Sequence, residues 1–244
     1  MTQPTACVLI IGNEILSGKT QDTNLQFLGF ELAKLGIRLA EGRVVRDEPA
    51  AIIHHVNECR AAFTYVFTTG GIGPTHDDIT AECVAQAFGV PLVLNDGAVE
   101  RLQRGGRPLN EARLKMARLP RGAAIVENTV SNAPGFRLDN VFVFAGIPSI
   151  ARAMFASAVP MLVQGAPILA ASVDAFLREG DFAEALESIQ ERHPDVEIGS
   201  YPFNRDGGLG ATLVARGTDR ALLSSVISEI IAAITVLGGE TKLN

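Results

Sequence analysis

The chain has no tryptophan and only two tyrosines among its 244 residues, so an exposed aromatic surface for stacking bases is not expected. Its three cysteines, Cys7, Cys59 and Cys83, are scattered, without the paired spacing of a zinc site or a disulfide framework. Cys7 and Cys83 sit in apolar runs and read as small buried side chains, which fits a reducing cytosol and a cytoplasmic location. The opening Met-Thr-Gln-Pro-Thr lacks the basic stretch and long apolar core of a signal peptide. No apolar run reaches the roughly 20 residues that span a bilayer, so no membrane partner is expected. A basic excess is missing as well, the net charge being −6. Residues 1–166 carry 15 basic and 15 acidic side chains, and residues 167–244 carry 6 and 12. The acidity of the last third excludes nucleic acid as an expected partner, because neutralising phosphates needs cations.

What is present suits a chain with a real core: 47% hydrophobic and 20% charged residues. The change in charge near Gln164-Gly165-Ala166-Pro167 marks a boundary, and two domains are expected, 1–166 and 167–244. Ala6 to Ile11 is a continuous apolar run that reads as a buried parallel strand. Leu25, Leu28, Leu32 and Leu35 repeat at helical spacing over residues 23–35, and Gly36 stops that helix. Ile37 to Val45 reads as a strand, and Asp47-Glu48-Pro49 starts the next helix. Tyr65 to Thr69 is a third strand, followed by a glycine turn and a helix from Ala81 to Phe88. Ala123 to Glu127 and Val141 to Ala145 are further strands, and a helix begins near Ser149. The alternation predicts an α/β domain, a Rossmann-like, mostly parallel sheet flanked by helices. The last third predicts a small α+β domain, β-α-β-β-α. It runs through a strand at Pro167 to Val173 and a helix capped by Asp181 with Glu184. A hairpin of Val196 to Tyr201 with Ala211 to Arg216 follows, then a helix from Asp219 to Leu237.

The stretch with most chemical content is Gly70-Gly71-Ile72-Gly73-Pro74-Thr75-His76-Asp77-Asp78-Ile79-Thr80. A strand, glycine turn and helix present backbone N–H groups to phosphate, and glycines admit the ligand closely because they lack a Cβ. Two carboxylates then open the helix. They read either as helix caps, with Thr75 and Asp78 as a capping box, or as oxygen ligands of a divalent cation beside a phosphate. The spacing matches neither a G-x-G-x-x-G fingerprint nor a Walker A loop. Ligands collect at the carboxyl ends of parallel strands, so the loops Gly12–Gly18, Arg46–Glu48, Gly70–Asp78 and Gly146–Ser149 are expected to converge. They would bring together Gly12, Asn13, Glu14, Ser17, Asp47, Gly70, Gly71, Gly73, Thr75, Asp77, Asp78, Gly146, Pro148 and Ser149. Asp47 and Ser149 also suit helix capping. The basic run Arg101, Arg104, Arg107, Arg113, Lys115, Arg118 and Arg121 reads as a solvated helix face or as a wall for an anion. His54, His55 and His193 lack partners at metal-ligand spacing. Gly207-Gly208-Leu209-Gly210 spells G-x-x-G but falls in the expected hairpin, and reads as turn chemistry.

The string Gly70–Thr80 resembles the signature of the molybdopterin-binding (MoaB/Mog) superfamily, and within it most resembles the N-terminal region of the CinA (competence/damage-inducible protein A) family. Ile11–Gly18 with Asp22-Thr23-Asn24, Asn132–Phe136 and Val143–Ser149 agree, four ordered motifs across about 150 residues. The resemblance implies the MoaB/Mog fold followed by a small KH-like domain. It also implies metal-dependent hydrolysis of a nucleotide pyrophosphate, ADP-ribose-like or FAD-like, with a divalent cation (Mg²⁺, Mn²⁺ or Co²⁺). Glu14, Asp47 and Asp78 match the family's acidic positions and are the implied metal ligands. Asp47, Asp77 and Asp78 are the expected catalytic set, with the general base open between Asp47 and Asp77. Gly71, Gly73 and Thr75 match the phosphate-contacting turn, and Asn110 and Arg113 match a substrate-side patch. Alternative expectations are molybdopterin binding with adenylyl handling, or nucleotide binding without turnover. A homo-oligomer, dimer or trimer, is implied as well. Longer CinA proteins carry a further domain associated with deamidation of a pyridine nucleotide. The printed sequence ends at Asn244 without it, so that activity is not expected.

Overall fold

The computed structural model describes residues 3–106, 108–205 and 208–244, which fall into two compact units, Met1–Gly165 and Ala166–Asn244. Arg107, Asp206 and Gly207 lie outside the described residues.

The first unit is built on central strands that are buried along almost their whole length, flanked by more exposed edge strands. Thr5–Ile11 (β1) is buried from Ala6 onward, and it is followed by the short helix Asn13–Leu16 (α1) and by Asn24–Lys34 (α2). Gly36, at φ +68°, ends α2, with Ile37 N–H donating to Leu32 O at 2.9 Å, the closing bond of a Schellman motif. Arg38–Val45 (β2), Pro49–Ala62 (α3), Tyr65–Thr69 (β3) and Thr80–Ala87 (α4) continue the alternation. Next come Leu92–Leu94 (β4), Asp96–Arg104 (α5), Glu111–Lys115 (α6), Arg118–Pro120 (β5) and Ala124–Val126 (β6). Gly135–Leu138 (β7), Val141–Phe144 (β8) and Pro148–Ala158 (α7) complete the unit.

The main sheet runs β2-β1-β3-β8-β7-β6, while β4 and β5 form a separate antiparallel ribbon. β2, β1, β3 and β8 are parallel; β7 and β6 join antiparallel. β7 is a strand that the sequence reading treated only as part of the Asn132–Phe136 motif. It is four residues long, and it begins at a glycine whose added Cβ would stand 2.4 Å from Val143 O. The period-2 alternation of β1 feeds two cores. Cys7, Leu9 and Ile11 pack with Ile52, Val56 and Val84 on one face. Ala6, Val8 and Ile10 pack with Leu28, Leu32 and Phe155 on the other. The order β2-β1-β3 means that the chain leaves β1 to one side and returns on the other, which opens a crevice at the carboxyl ends of β1 and β3.

The second unit comprises Leu169–Phe176 (β9), Glu179–Arg192 (α8), Glu197–Arg205 (β10), Gly208–Gly217 (β11), Arg220–Val236 (α9) and Glu240–Leu243 (β12). Its sheet order is β10-β11-β9-β12, so the structure adds an edge strand to the expected five elements. Phe182, Ile189, Val226 and Ile230 of the two helices pack on Val173, Ala175 and Leu213 of the sheet. Asp219 caps α9 as expected, its Oδ1 accepting from Ala221 N–H at 2.8 Å and Leu222 N–H at 3.2 Å. Asp181 is not the cap of α8. That helix begins at Glu179 behind Arg178, and Asp181 lies in its first turn, where a carboxylate complements the exposed N–H groups. Among the described residues, no helix is long and apolar enough to cross a membrane.

Candidate functional site

Backbone packing sets up the crevice before any side chain does. Gly70 follows β3 at φ +106°, and a Cβ on it would stand 2.1 Å from Ile11 O. Gly71, at φ +67°, would push a Cβ to 2.2 Å from Thr80 Oγ1. These two glycines are therefore required both by conformation and by contact. Gly146 packs on the same turn, its ideal Cβ lying 3.3 Å from Gly70 Cα. The ends of β1, β3 and β8 are thereby drawn together.

They floor a cavity of about 900 Å³, whose lining includes Glu14, Asp47, Asp77 and Asp78. Gly12, Gly70, Gly71, Gly73, Gly146, Pro148 and Arg113 line it as well. Asn13, Ser17, Thr75, Asn110 and Ser149 do not belong to the lining, and four of them hold neighbours that do. Asn13 N–H donates to Asp47 Oδ2 at 2.7 Å. Asp47 thus ties the β2 loop to the β1 loop rather than capping α3, whose N-cap, Glu48, makes no side-chain cap. Ser17 Oγ donates to Glu14 O at 3.2 Å. Thr75 N–H donates to Asp78 Oδ2 at 2.8 Å, and the Thr75 hydroxyl contacts the same oxygen. This is one half of the expected capping box, and it lies within a loop turn, because Asp78 N–H meets Thr75 O instead of the hydroxyl and α4 starts later, at Thr80, with neither acid opening it. Asn110 Oδ1 accepts Arg113 N–H at 2.9 Å and caps α6. Ser149 is exposed at the second position of α7 and caps nothing, the N-cap being Ile147.

Two glycines make room for acids. A Cβ at Gly12 would fall 2.6 Å from Glu14 Oε1, and one at Gly73 would fall 2.6 Å from Asp78 Oδ2. The Asp77 carboxyl is held below its usual value, first by the nearby Thr75 hydroxyl, then by its own backbone N–H, with His76 and Lys115 adding positive charge. Thr75 has one hydroxyl hydrogen, and the short contact gives it to Asp78. The lowering at Asp77 is therefore the work of the local dipoles and cations as a group. Lys115 donates to Thr75 O and so clamps the Gly70–Asp78 loop from α6.

The basic run does not form one wall. Arg101 pairs with Glu127 (Nε to Oε1, 2.7 Å), Arg113 donates to Leu102 O and Pro108 O, and Lys115 holds the loop. The histidine expectation needs correction. His54 and His55 meet Glu58, four and three residues on along α3, and these are the three ligand atoms within 4.8 Å of one another among the described residues. Arg43 occupies that cluster, donating to His55 Nδ1 at 2.9 Å and to Glu58. Glu14, Asp47 and Asp78 share the cavity without such close approach. A Mg²⁺-type ion keeps several of its waters, so carboxylates at wider spacing suit it, and an all-oxygen set suits a hard cation.

Asn24 stands in the sequence only as part of a matching motif, with no role; it is buried, and its Nδ2 donates to Gly146 O at 2.8 Å across 122 residues of sequence. Asn132 likewise opens a matching motif without a role, and Asn128 and Ser131 escape sequence reasoning; all three line the cavity between β6 and β7.

Comparison with known proteins agrees with this geometry. Residues 7–164 match the family described as "Probable molybdopterin binding domain", and residues 167–237 match "FAD synthase, middle domain". A CinA-like protein of Gloeobacter violaceus is 33% identical over 97% of this chain and 58% of its own length. The chain thus spans little more than half of that relative. A probable FAD synthase of Caenorhabditis elegans is 32% identical over 81% of this chain and 44% of its own. The crystal structure of a protein CinA with unknown function from Thermoplasma acidophilum superposes with a TM-score of 0.61 at 32% identity, covering 65% of this chain and 97% of that one. With its crevice between β1 and β3, its glycine turn and these relatives, the chain belongs to the molybdopterin-binding-domain (MoaB/Mog) superfamily, among the CinA-like proteins.

Proposed function

We propose that the first unit is a metal-dependent hydrolase of nucleotide pyrophosphates, acting on ADP-ribose-like or FAD-like substrates. One observation carries the reading: a single cavity at the switch point of the sheet combines four carboxylates with the Gly70–Gly73 turn. Such a turn offers close backbone N–H donors to phosphate oxygens. Glu14, Asp47 and Asp78 would hold the cation. When bound, a divalent cation supplies charge neutralisation on the phosphates and a more acidic water. Water adds at one phosphorus, the bridging P–O bond breaks, and two monophosphates leave. The general base is Asp47 or Asp77, both of which line the cavity. The second unit's match to a FAD synthase domain favours the same substrate class, since FAD is itself a dinucleotide with a pyrophosphate bridge.

A second reading, molybdopterin binding with adenylyl handling, rests on the description of the matched family. The test is turnover of ADP-ribose and FAD with Mg²⁺, Mn²⁺ or Co²⁺, comparing the wild type with Asp78→Ala. Release of AMP that needs metal and is lost in the folded variant supports the hydrolase. If neither substrate is cleaved with any of the three metals, the hydrolase reading is abandoned, and tight pterin binding becomes the alternative to measure.

A further inference from the structure

The walls of the cavity divide by chemistry. The loops after β1, β2 and β3 supply every acid. Among the described residues, the stretch from Leu102 to Ala133 supplies none, and Arg113 is its charged lining residue. Leu102, Met116, Val130 and Ala133 make this part apolar, and Asn132 stands among them.

Asn132 is unusual in its backbone and in its side chain. Its backbone is left-handed, at φ +62°, one of two such non-glycine residues among those described. Asparagine tolerates that region better than most residues, yet the conformation has to be imposed by its surroundings. Here Asn128 imposes it. That side chain is 4% exposed and makes four hydrogen bonds within the loop. Its Nδ2 donates to Ser131 Oγ (2.7 Å) and Ala133 O (2.8 Å), and its Oδ1 accepts from Val130 N–H (3.0 Å) and Ser131 N–H (3.3 Å). Asn132 N–H itself donates to Asn128 O at 3.1 Å. Finally, the Asn132 side-chain amide has no hydrogen-bond partner among the described residues, although it is half-buried in the cavity beside Gly105. A rigid loop thus presents one unspent donor and one unspent acceptor to an apolar slot. Few, well-placed polar groups in an apolar lining are what fix the orientation of a small ligand.

We infer that Asn132 is a specificity-determining residue that reads the adenine ring of the bound nucleotide. The inference rests on the nucleotide-pyrophosphate reading and deepens it. An amide offers a carbonyl to an exocyclic amino group and an N–H to a neighbouring ring nitrogen, the pairing that asparagine makes with adenine. The apolar side chains around the amide, Leu102, Met116, Val130 and Ala133, suit the faces of a ring better than a phosphate, which the glycine turn and the cation would draw. A keto group in place of the amino group faces the Asn132 carbonyl with no hydrogen to give, and leaves that oxygen unpaired.

The experiment is calorimetric titration of the full chain with AMP, IMP, GMP and CMP in Mn²⁺. Wild type is compared with Asn132→Gly and Asn132→Ala. Glycine keeps the left-handed backbone and removes the amide; alanine removes the amide and adds strain. The expected result is a preference of about tenfold for AMP over IMP in the wild type, reduced to threefold or less in Asn132→Gly at unchanged Tm. An Asn132→Gly protein that keeps the wild-type preference overturns the inference. So does a uniform loss of affinity for all four nucleotides, which would make the residue a loop support only. Equal binding of AMP and IMP by the wild type overturns the inference alone. Absence of binding by any nucleotide overturns the reading it rests on as well.

Discussion

Replacing Gly70 with alanine separates two costs that usually come together. The backbone is at φ +106°, and the new methyl would stand 2.1 Å from Ile11 O, an oxygen on the neighbouring strand. The conformational penalty is about 1–3 kcal/mol. Relieving the overlap requires β1 and β3 to part by nearly an ångström, an overpacking cost of about 1–3 kcal/mol. Gly89→Ala is the matched control: φ is +65°, with no atom within 4 Å of an ideal Cβ, so only the conformational term applies. At about 2–4 °C per kcal/mol for a domain of this size, Gly70→Ala should lower Tm by roughly 5–20 °C, and Gly89→Ala by about half of that. Because Gly12 and Glu14 follow Ile11 directly, the same displacement moves the acid-bearing loop against the glycine turn. A shift of about 1 Å in a reacting geometry costs about a hundredfold in rate. Thermal unfolding measures the first effect, and, on the proposed function, AMP release from ADP-ribose measures the second. If Gly70→Ala is no less stable than Gly89→Ala, the packing of β3 on Ile11 O does not constrain the site, and the reasoning fails.

Other consequences are open to measurement. Asn24→Ala removes the bond to Gly146 O and should cost about 1–3 kcal/mol in chemical denaturation; Asn24→Asp should cost more, since a carboxylate would face that carbonyl, and wild-type stability of the aspartate variant would count against this role. Asn128→Ala strips four hydrogen bonds from one loop and should destabilise by about 2–4 kcal/mol, with faster amide exchange confined to residues 128–133. Asp174, 3% exposed, is held below its usual pKa first by the Thr212 hydroxyl, then by Asn244 and Arg205. A depressed carboxyl stabilises the fold above its unfolded pKa, near 3.9, and the contribution is lost as pH falls through the folded value. Exchange protection of the second unit in the full chain should therefore fall below about pH 4, and Asp174→Asn should remove that pH dependence. Equal acid sensitivity in the variant would assign the loss to other groups.

The parts of the fold that were legible in the sequence are those fixed by local pattern. Tyr65–Thr69 is apolar and β-rich, and it runs into three glycines within four residues; no other reading competes with strand and turn. Once the strands were placed, the convergence of their loops followed from the topology. What was not legible depends on partners distant in sequence. Asp47 looks like a helix cap until Asn13, 34 residues earlier, is seen to donate to it. Asn24 falls within the expected helix over residues 23–35, and its attachment to Gly146 needs the fold. β12 is Glu-Thr-Lys-Leu, a polar edge strand with no hydrophobic alternation to announce it. The Asn128–Asn132 loop reads as ordinary turn residues, because its rigidity lies in a bonding pattern rather than in composition.

Residues 92–138, which run from β4 to β7, are inserted between the third and fourth parallel strands of the sheet. The acids that line the cavity lie before this segment, and the mostly apolar lining from Leu102 to Ala133 lies within it. On the proposed function, one length of chain holds the reactive groups and another the surface facing the rest of the ligand. Substitutions in the segment can alter the shape and hydrogen bonding of that surface while the strand ends that carry the acids stay where the parallel sheet puts them. The arrangement lets selection change which molecule is accepted separately from what is done to it.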